Sequence, residues 1–344
     1  MRWKRTISMV EAHAEGEVGR VVTSGITDIP GETLLDKMLY INETDDSLRR
    51  FLVFEPRGYA QMSTNLLLPA SDPKADIGYL ILQGDKAHAM SGSNSICVVT
   101  VLLETGIVEM QEPLTVVKLE TPAGLIIANA TCKNGKCVSV ELEMPASFVL
   151  EKDIVLEVEG LGTVKIDIAY GGIFYGLIDP HQFGLEIKPD NARKLVDIGN
   201  AIHRQINKSM TIVHPLNPAI KDLSYTMFTG TKDDGSLIGS TVLPPGRLDR
   251  SPCGTGNCAR LALRALNGEV KAGDIYNAAS IIDSTFRVEY VADTKIGSYQ
   301  AVLPRISGRG WIHGLHQIGL DPDDPWPLGY KLSDCWGDAF DLLR

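Results

Sequence analysis

A cysteine placed just before a predicted helix is the residue of this chain best suited to chemistry. It lies in the stretch Asp249-Arg-Ser-Pro-Cys253-Gly-Thr-Gly-Asn-Cys-Ala259, where a polar approach and a Gly-Thr-Gly turn precede a helix predicted over 257–266. The start of a helix exposes backbone N–H groups and the positive end of the helix dipole. Both favour a thiolate and a bound anion, so Cys253 is a candidate base or nucleophile.

A second stretch has the same form, with a serine in place of the cysteine. The stretch is Met90-Ser91-Gly92-Ser93-Asn94-Ser95-Ile96-Cys97, and its first three residues precede a predicted helix that runs through 98–103 and that Gly106 ends. If the two turns meet in a cleft between domains, Ser91 and Cys253 would lie on opposite faces of one bound molecule. The backbone N–H groups that could hold its carboxylate belong to Gly92, Ser93, Gly254 and Thr255. Asp249 could hold an ammonium group.

The spacing of these stretches predicts a duplicated chain. Cys253 lies 162 positions after Ser91. Glycine-bearing strands predicted over 8–22 and 168–178 recur at about the same offset, as do helices that begin at 33 and at 192. The first of these helices is predicted to extend as far as residue 54. We therefore expect a mixed α/β protein with an N-terminal half over 1–166, a C-terminal half over 167–324, and a tail over 325–344 that packs on the first half.

Composition restricts the class of protein. The chain has 344 residues, 44% of them hydrophobic and 22% charged, and a formal net charge of −10. An acidic chain without a basic patch is a poor candidate for nucleic-acid binding. No apolar run is long enough to cross a membrane, and the N-terminus does not form a secretion signal because Glu11 and His13 interrupt it. These features predict a cytoplasmic protein.

The six cysteines do not form a disulfide framework. Cys132 and Cys137 flank Asn134-Gly135, which is a strong signal for a β-hairpin turn, and both are expected to be structural thiols. No spacing of ligand residues predicts a metal site.

The cysteine stretch also suggests two other kinds of site, a dinucleotide-binding loop and the nucleophile of a thiol hydrolase. Gly254-Thr-Gly-Asn-Cys-Ala259 fits the form of a dinucleotide-binding loop, but the residues before it do not form a buried strand. A thiol hydrolase would pair Cys253 with a histidine, and none of the seven histidines has a spacing that singles it out.

Three motifs resemble those of the proline racemase superfamily: Glu55-Pro-Arg-Gly58, Met90-Ser-Gly-Ser93 and Asp249-Arg-Ser-Pro-Cys-Gly-Thr-Gly256. The resemblance covers nearly the whole chain and implies two pseudo-symmetric domains of the diaminopimelate epimerase type, each a sheet around a central helix. It also implies an imino-acid substrate and neither a cofactor nor a metal. Ser91 and Cys253 would hold the two acid/base positions, while Asp249 would bind the ring nitrogen. The substrate carboxylate would be held by Gly92, Ser93, Gly254 and Thr255.

The chain departs from the racemase pattern at three positions. Racemases and epimerases of this superfamily have cysteine at the position of Ser91 and usually histidine at that of Ser93, and histidine is frequent at that of Tyr59. A hydroxyl is a far weaker acid than a thiol, so Ser91 is a poor base at neutral pH. The serine–cysteine pair therefore resembles that of trans-3-hydroxy-L-proline dehydratases, which form Δ1-pyrroline-2-carboxylate after a single Cα proton abstraction. Which of Ser91 and Cys253 abstracts the proton stays open.

The sequence thus predicts a hydro-lyase, with 4-hydroxyproline epimerisation as a side activity. The alternatives are a dedicated 4-hydroxyproline 2-epimerase or proline racemase, and, in another class, a non-catalytic imino-acid-binding protein. A homodimer is left open as the oligomeric state.

Overall fold

The computed structural model describes residues 3–26 and 29–337, which form two compact units. The first unit comprises described residues up to 142 and from 308 on, and the second comprises residues 143–307. The chain therefore enters the second unit before the boundary predicted at 166 and returns to the first before the one predicted at 324.

The first part of the chain is rich in short strands. In chain order its elements are β1 (Thr6–Ala14), β2 (Glu17–Val18), β3 (Arg20–Ser24), α1 (Leu34–Glu43), α2 (Ser47–Val53), β4 (Thr64–Leu68), β5 (Ile77–Leu82), β6 (Ala87–His88), α3 (Gly92–Glu104), β7 (Leu114–Thr121), β8 (Gly124–Lys133) and β9 (Lys136–Glu143).

The remainder of the chain has a similar succession of elements. They are β10 (Ser147–Val158), β11 (Gly162–Tyr170), β12 (Phe174–Ile178), 3₁₀ turns at Pro180–Phe183 and Pro189–Asn191, α4 (Ala192–Ser209), β13 (Val213–His214), β14 (Asn217–Lys221), β15 (Tyr225–Thr231), β16 (Leu237–Leu243), β17 (Arg247–Leu248), α5 (Gly254–Leu266), β18 (Ile275–Ala279), β19 (Thr285–Ile296), β20 (Tyr299–Gly308), β21 (Gly310–Gly319) and α6 (Ser333–Trp336).

The two units have the same strand topology. The order is β21-β1-β3-β4-β5-β7-β8-β9 in the first unit and β10-β11-β12-β15-β16-β18-β19-β20 in the second. Parallel and antiparallel pairings fall at the same places in both orders. In the second unit β10 also pairs with β20, so that sheet closes on itself. The predicted duplication is confirmed at the level of topology, and the mixed α/β fold class with it.

Strand pairing explains why the units begin and end earlier than predicted. β10 lies at the end of the predicted N-terminal half but belongs to the second unit. It pairs along its length with β11, through a turn in which Gly160 and Gly162 have positive φ. In the same way, β21 lies at the end of the predicted C-terminal half but pairs with β1 of the first unit. Each half thus gives its last strand to the other unit, which composition along the chain does not reveal.

A largely buried helix lies at the core of each unit. Every residue of α3 from Gly92 to Leu103 is buried, and the helix packs on β1, β3 and β21. α5 packs on β10, β11, β12 and β19. Its residues from Gly254 to Ala262 are all buried. A helix that is apolar on all sides is stable only when strands surround it, and the sequence of α3 after Ser95 is of this kind.

Two predicted elements are divided in the structure. The strand predicted over 8–22 becomes β1, β2 and β3, with a reversal at Glu15-Gly16, and the strand over 168–178 divides at Gly171-Gly172. Gly16 and Gly172 have φ of 95° and 114°, which glycine adopts without strain. The helix predicted from 33 to 54 becomes α1 and α2, because Thr44 caps α1 and a new helix starts after Asp46.

The hairpin predicted at Asn134-Gly135 is confirmed. Cys132 and Cys137 face each other across β8 and β9, and both are free and buried. No helix in the described part of the chain is long and apolar enough to cross a membrane.

Two residues of the motif Glu55-Pro-Arg-Gly58 form hydrogen bonds with the C-terminal tail. Arg57 pairs with Asp324 at 3.0 Å and donates to the backbone oxygen of Trp326 at 2.7 Å. The Glu55 carboxylate accepts from the Trp336 indole at 3.0 Å, and Trp336 packs edge-on against Phe54. The tail residues up to 337 therefore pack on the first unit, whereas residues 338–344 of the predicted tail lie outside the described residues.

We predict that Trp336→Ala destabilises the protein by about 3–5 kcal/mol, because it removes a fully buried aromatic side chain. The matched control is Trp326→Ala, since Trp326 is 54% exposed and its backbone contact with Arg57 would survive. That change should cost about 0.5 kcal/mol or less. Denaturant unfolding measures both, and equal losses would contradict the assigned packing of the tail.

Candidate functional site

Ser91 is the residue at which the central helix of the first unit begins. It is the N-cap of α3, with an extended backbone at φ −155° and ψ 131°. Its hydroxyl oxygen accepts from the side-chain amide of Asn94 at 3.0 Å and lies 3.5 Å from the backbone nitrogen of the same residue. The Ser95 hydroxyl donates to the Ser91 carbonyl at 2.8 Å. The polar residues that follow Ser91 thus fix the start of the helix.

Gly92 and Ser93 occupy the first two positions of α3. N–H groups at these positions have no partner within a helix, and the helix dipole makes them suitable donors to a carboxylate. Ser93 is buried, and its hydroxyl lies 3.3 Å from that of Ser91.

Ser91 has no basic partner. Its side-chain hydrogen bonds join it to the Ser93 hydroxyl and to Asn94, and no carboxylate or imidazole among the described residues bonds to it. The local structure therefore does not supply a general base that would activate this hydroxyl.

Cys253 begins the central helix of the second unit in a strained conformation. It is the N-cap of α5 with φ 68° and ψ 106°, a region that non-glycine residues rarely occupy. Such strain is frequent at functional sites. The backbone nitrogen of Cys253 donates to the Ser251 hydroxyl at 3.1 Å, and the Asn257 amide donates to its carbonyl at 3.0 Å. These bonds hold the thiol at the end of the helix.

The helix begins earlier than predicted. α5 starts at Gly254 rather than at 257, so the predicted Gly-Thr-Gly turn is in fact its first turn, with Gly254 and Thr255 at the first two positions. The dinucleotide alternative is wrong for the same reason, because 254–259 is helix and not a loop between strand and helix.

Asp249 lies near the thiol in the loop before the helix. It is buried, and its carboxylate accepts from the backbone nitrogen of Ser251 at 2.8 Å. Asp249, Cys253, Gly254 and Thr255 thus belong to one group in the second unit, and Ser91, Gly92 and Ser93 form another in the first.

Sequence analysis missed Tyr175, a residue of β12. Its buried hydroxyl lies 3.3 Å from the Cys253 sulfur and 2.7 Å from the Thr255 hydroxyl. The available signal was a tyrosine in an otherwise apolar buried strand, since a buried hydroxyl needs a partner. No histidine in the described chain bonds to Cys253, so the thiol-hydrolase alternative has no structural support.

Burial outweighs the helix dipole at Cys253. Removal from water raises the pKa of the thiol to about 12, and the negative charge of Asp249 adds to this. The hydrogen bond with Tyr175 acts in the opposite direction. This direction opposes the thiolate that the helix start favours in the sequence, so ionisation of Cys253 depends on what else enters its surroundings.

The described residues contain no cluster of three His, Cys, Asp or Glu side chains that could hold a metal ion.

Relatives of the chain are similar over nearly its whole length. A 4-hydroxyproline 2-epimerase of Rhizobium etli is 52% identical over 342 residues, which cover 98% of this chain and 99% of the relative. One of Agrobacterium fabrum is 51% identical, with 98% of each chain covered. Both are named as isomerases, so they do not support the hydro-lyase predicted from Ser91.

A solved structure is similar in fold as well as in sequence. It is a hydroxyproline epimerase of Agrobacterium vitis with bound trans-4-hydroxy-L-proline, 49% identical, with a TM-score of 0.93 and coverage of 99% of this chain and 100% of that one. The family model for proline racemase matches residues 9–331. The resemblance seen in the three motifs is thereby confirmed, and the chain belongs to the proline racemase family.

Proposed function

We propose that this protein is a 4-hydroxyproline 2-epimerase. The observation that carries the proposal is the similarity of the entire chain to a hydroxyproline epimerase structure that holds trans-4-hydroxy-L-proline. The geometry of the chain is compatible with it, because each unit presents an acid/base side chain at the N-terminus of a buried helix. This arrangement suits proton removal and return at a carbon beside a carboxylate.

In this mechanism Cys253 and Ser91 act on opposite faces of the substrate Cα. One removes the Cα proton and the other gives a proton to the opposite face, which inverts the configuration at C2. The N–H groups of Gly92 and Ser93, and those of Gly254 and Thr255, hold the carboxylate as negative charge develops on it. Asp249 holds the ring nitrogen in its protonated form.

The substrate itself would make Cys253 a better base. The charge of Asp249 is one cause of the raised thiol pKa. A protonated ring nitrogen bound to Asp249 offsets that charge, so binding lowers the pKa of the Cys253 thiol. The reactive thiolate is then favoured where a substrate is present.

A second candidate activity is dehydration of trans-3-hydroxy-L-proline to Δ1-pyrroline-2-carboxylate. Ser91 favours it, because dehydration needs one proton abstraction at Cα followed by loss of the 3-hydroxyl, and a single efficient base is enough. We place it second because the relatives that are half identical to this chain are named as epimerases.

A panel of substrates tests both activities. With trans-4-hydroxy-L-proline we expect cis-4-hydroxy-D-proline, and Cys253→Ser should lose most of this activity because it replaces the thiol with a far weaker acid. With trans-3-hydroxy-L-proline we expect at most a slow appearance of the pyrroline.

Fast dehydration without epimerisation would overturn the proposed function in favour of the second. Stabilisation by hydroxyproline without any turnover, and without solvent deuterium entering Cα, would indicate a binding protein instead.

We predict that Asp249→Asn makes the Cys253 thiol ionise at lower pH, because it removes a negative charge that raises the thiol pKa. The same change should raise KM for hydroxyproline by about tenfold or more, since a charge-assisted bond to the ring nitrogen is lost. The rate of Cys253 alkylation as a function of pH, followed by peptide mass spectrometry, measures the first effect.

Asp274→Asn is the control, because Asp274 lies in an exposed turn and caps the backbone of Lys271. An unchanged alkylation profile in Asp249→Asn would show that Asp249 does not act on the thiol.

A further inference from the structure

The residue that contacts the Ser91 hydroxyl from within the protein is Asn94. Asn94 is 1% exposed, and its side chain lies among other buried polar groups. Burying several polar side chains is costly unless each finds a partner, so a network of this kind beside an acid/base residue requires an explanation.

The network fixes which end of the Asn94 amide faces Ser91. The side-chain nitrogen of Asn65 donates to the backbone oxygen of Arg20 at 3.2 Å, and it also donates to the side-chain oxygen of Asn94 at 2.9 Å. The Ser63 hydroxyl donates to that same oxygen at 2.9 Å. Since the Asn94 oxygen accepts two bonds, the Asn94 nitrogen faces the Ser91 oxygen, at 3.0 Å.

Ser91 is therefore an acceptor of N–H groups inside the protein. The amide of Asn94 donates to its oxygen, and the Asn94 backbone nitrogen lies at 3.5 Å. A lone pair of the oxygen is occupied in this way, and the hydroxyl hydrogen is left for another partner. Donors aimed at an oxygen stabilise the negative charge that it acquires on losing a proton.

The position near Cys253 that corresponds to Asn94 carries no amide side chain. The residue 162 positions after Asn94 is Gly256, which follows Cys253 at the same spacing as Asn94 follows Ser91. A Cβ at Gly256 would lie 3.0 Å from the Cys253 sulfur and 2.8 Å from the sulfur of Met227, so an amide does not fit there without displacement. The chain thus has an amide donor beside its serine and none at the matching position beside its cysteine.

We propose that Asn94 is a positioning residue that enables a serine to serve where a thiol would otherwise be needed, by stabilising the Ser91 alkoxide. The inference rests on the proposed function. If the Cys253 thiolate removes the Cα proton, it becomes a thiol while Ser91 gives its hydroxyl proton to the opposite face and becomes an alkoxide. The thiol then loses its proton to solvent and the alkoxide takes one from solvent, which restores the starting state. In the reverse direction the alkoxide receives the Cα proton. Both directions pass through the alkoxide, so Asn94 affects both.

Dehydration initiated by Cys253 does not involve the Ser91 alkoxide. Loss of the Asn94 amide should therefore reduce epimerisation of 4-hydroxyproline much more than any dehydration of trans-3-hydroxy-L-proline.

The test is a cycle of variants assayed in both epimerisation directions. Asn94→Ala should lower kcat by about 100-fold when residue 91 is serine, as expected for the loss of a donor to a developing oxyanion. Combined with Ser91→Cys, the same change should lower kcat by less than about threefold, because a thiol ionises without such a donor. Melting temperatures show that each variant folds.

Two further variants separate this role from packing. Thr100→Val also removes a buried hydrogen bond of α3, the one that the Thr100 hydroxyl donates to the Ile96 carbonyl at 2.8 Å, and it should leave kcat within about threefold of the unaltered protein because this bond does not involve Ser91. Ser63→Ala frees the Asn94 oxygen from one donor and should reproduce a weaker form of the Asn94→Ala loss.

A loss of equal size with serine and with cysteine at residue 91 would overturn the role of Asn94 while leaving the proposed function intact. An unaltered protein that does not epimerise 4-hydroxyproline would overturn both, and this result is visible before any variant is made.

Discussion

The burial of α3 and α5 is the constraint on which the rest of the structure depends. α3 is buried from Gly92 to Leu103 and α5 from Gly254 to Ala262. Strands pack around both helices, and the free N–H groups of a helix lie at its N-terminus, where they can meet a polar ligand. Ser91 and Cys253 stand at these two matching helix starts.

The two helix starts differ in the surroundings of the side chain proposed for proton transfer. Cys253 is strained at positive φ, contacts Tyr175, and has its pKa raised by burial and by Asp249. Ser91 has relaxed extended backbone and a donor amide from Asn94. The surroundings of Cys253 thus oppose its ionisation, whereas a donor aimed at the Ser91 oxygen favours negative charge there.

Sequence patterns predicted the duplication and placed Ser91 and Cys253 close to helix starts, because small residues followed by an apolar run are visible in the sequence. The start of α5 itself lies three residues earlier than predicted. They did not predict that β10 belongs to the second unit and β21 to the first, since the pairing of β10 with β11 and of β21 with β1 depends on register and not on composition. The contacts of Tyr175 with Cys253 and of Asn65 with Asn94 could not be predicted either, because each joins residues far apart in the chain.

The choice between epimerisation and dehydration is where sequence patterns are least informative. A serine at residue 91 favours dehydration when the hydroxyl is considered without its surroundings, whereas the relatives that are half identical to this chain are named as epimerases. Asn94 stands three residues after Ser91 in the same motif, yet its orientation depends on Ser63 and Asn65 from other segments. The surroundings of the Ser91 hydroxyl therefore cannot be read from the motif alone.

The most direct test of the account is the fate of the Cα hydrogen when trans-4-hydroxy-L-proline reacts in D₂O. Acid/base groups on opposite faces predict that, early in the reaction, the cis-4-hydroxy-D-proline formed contains deuterium at Cα while the remaining substrate contains none. A product that keeps the substrate's own hydrogen would show that a single group removes and returns it, and would contradict the shared roles of Ser91 and Cys253.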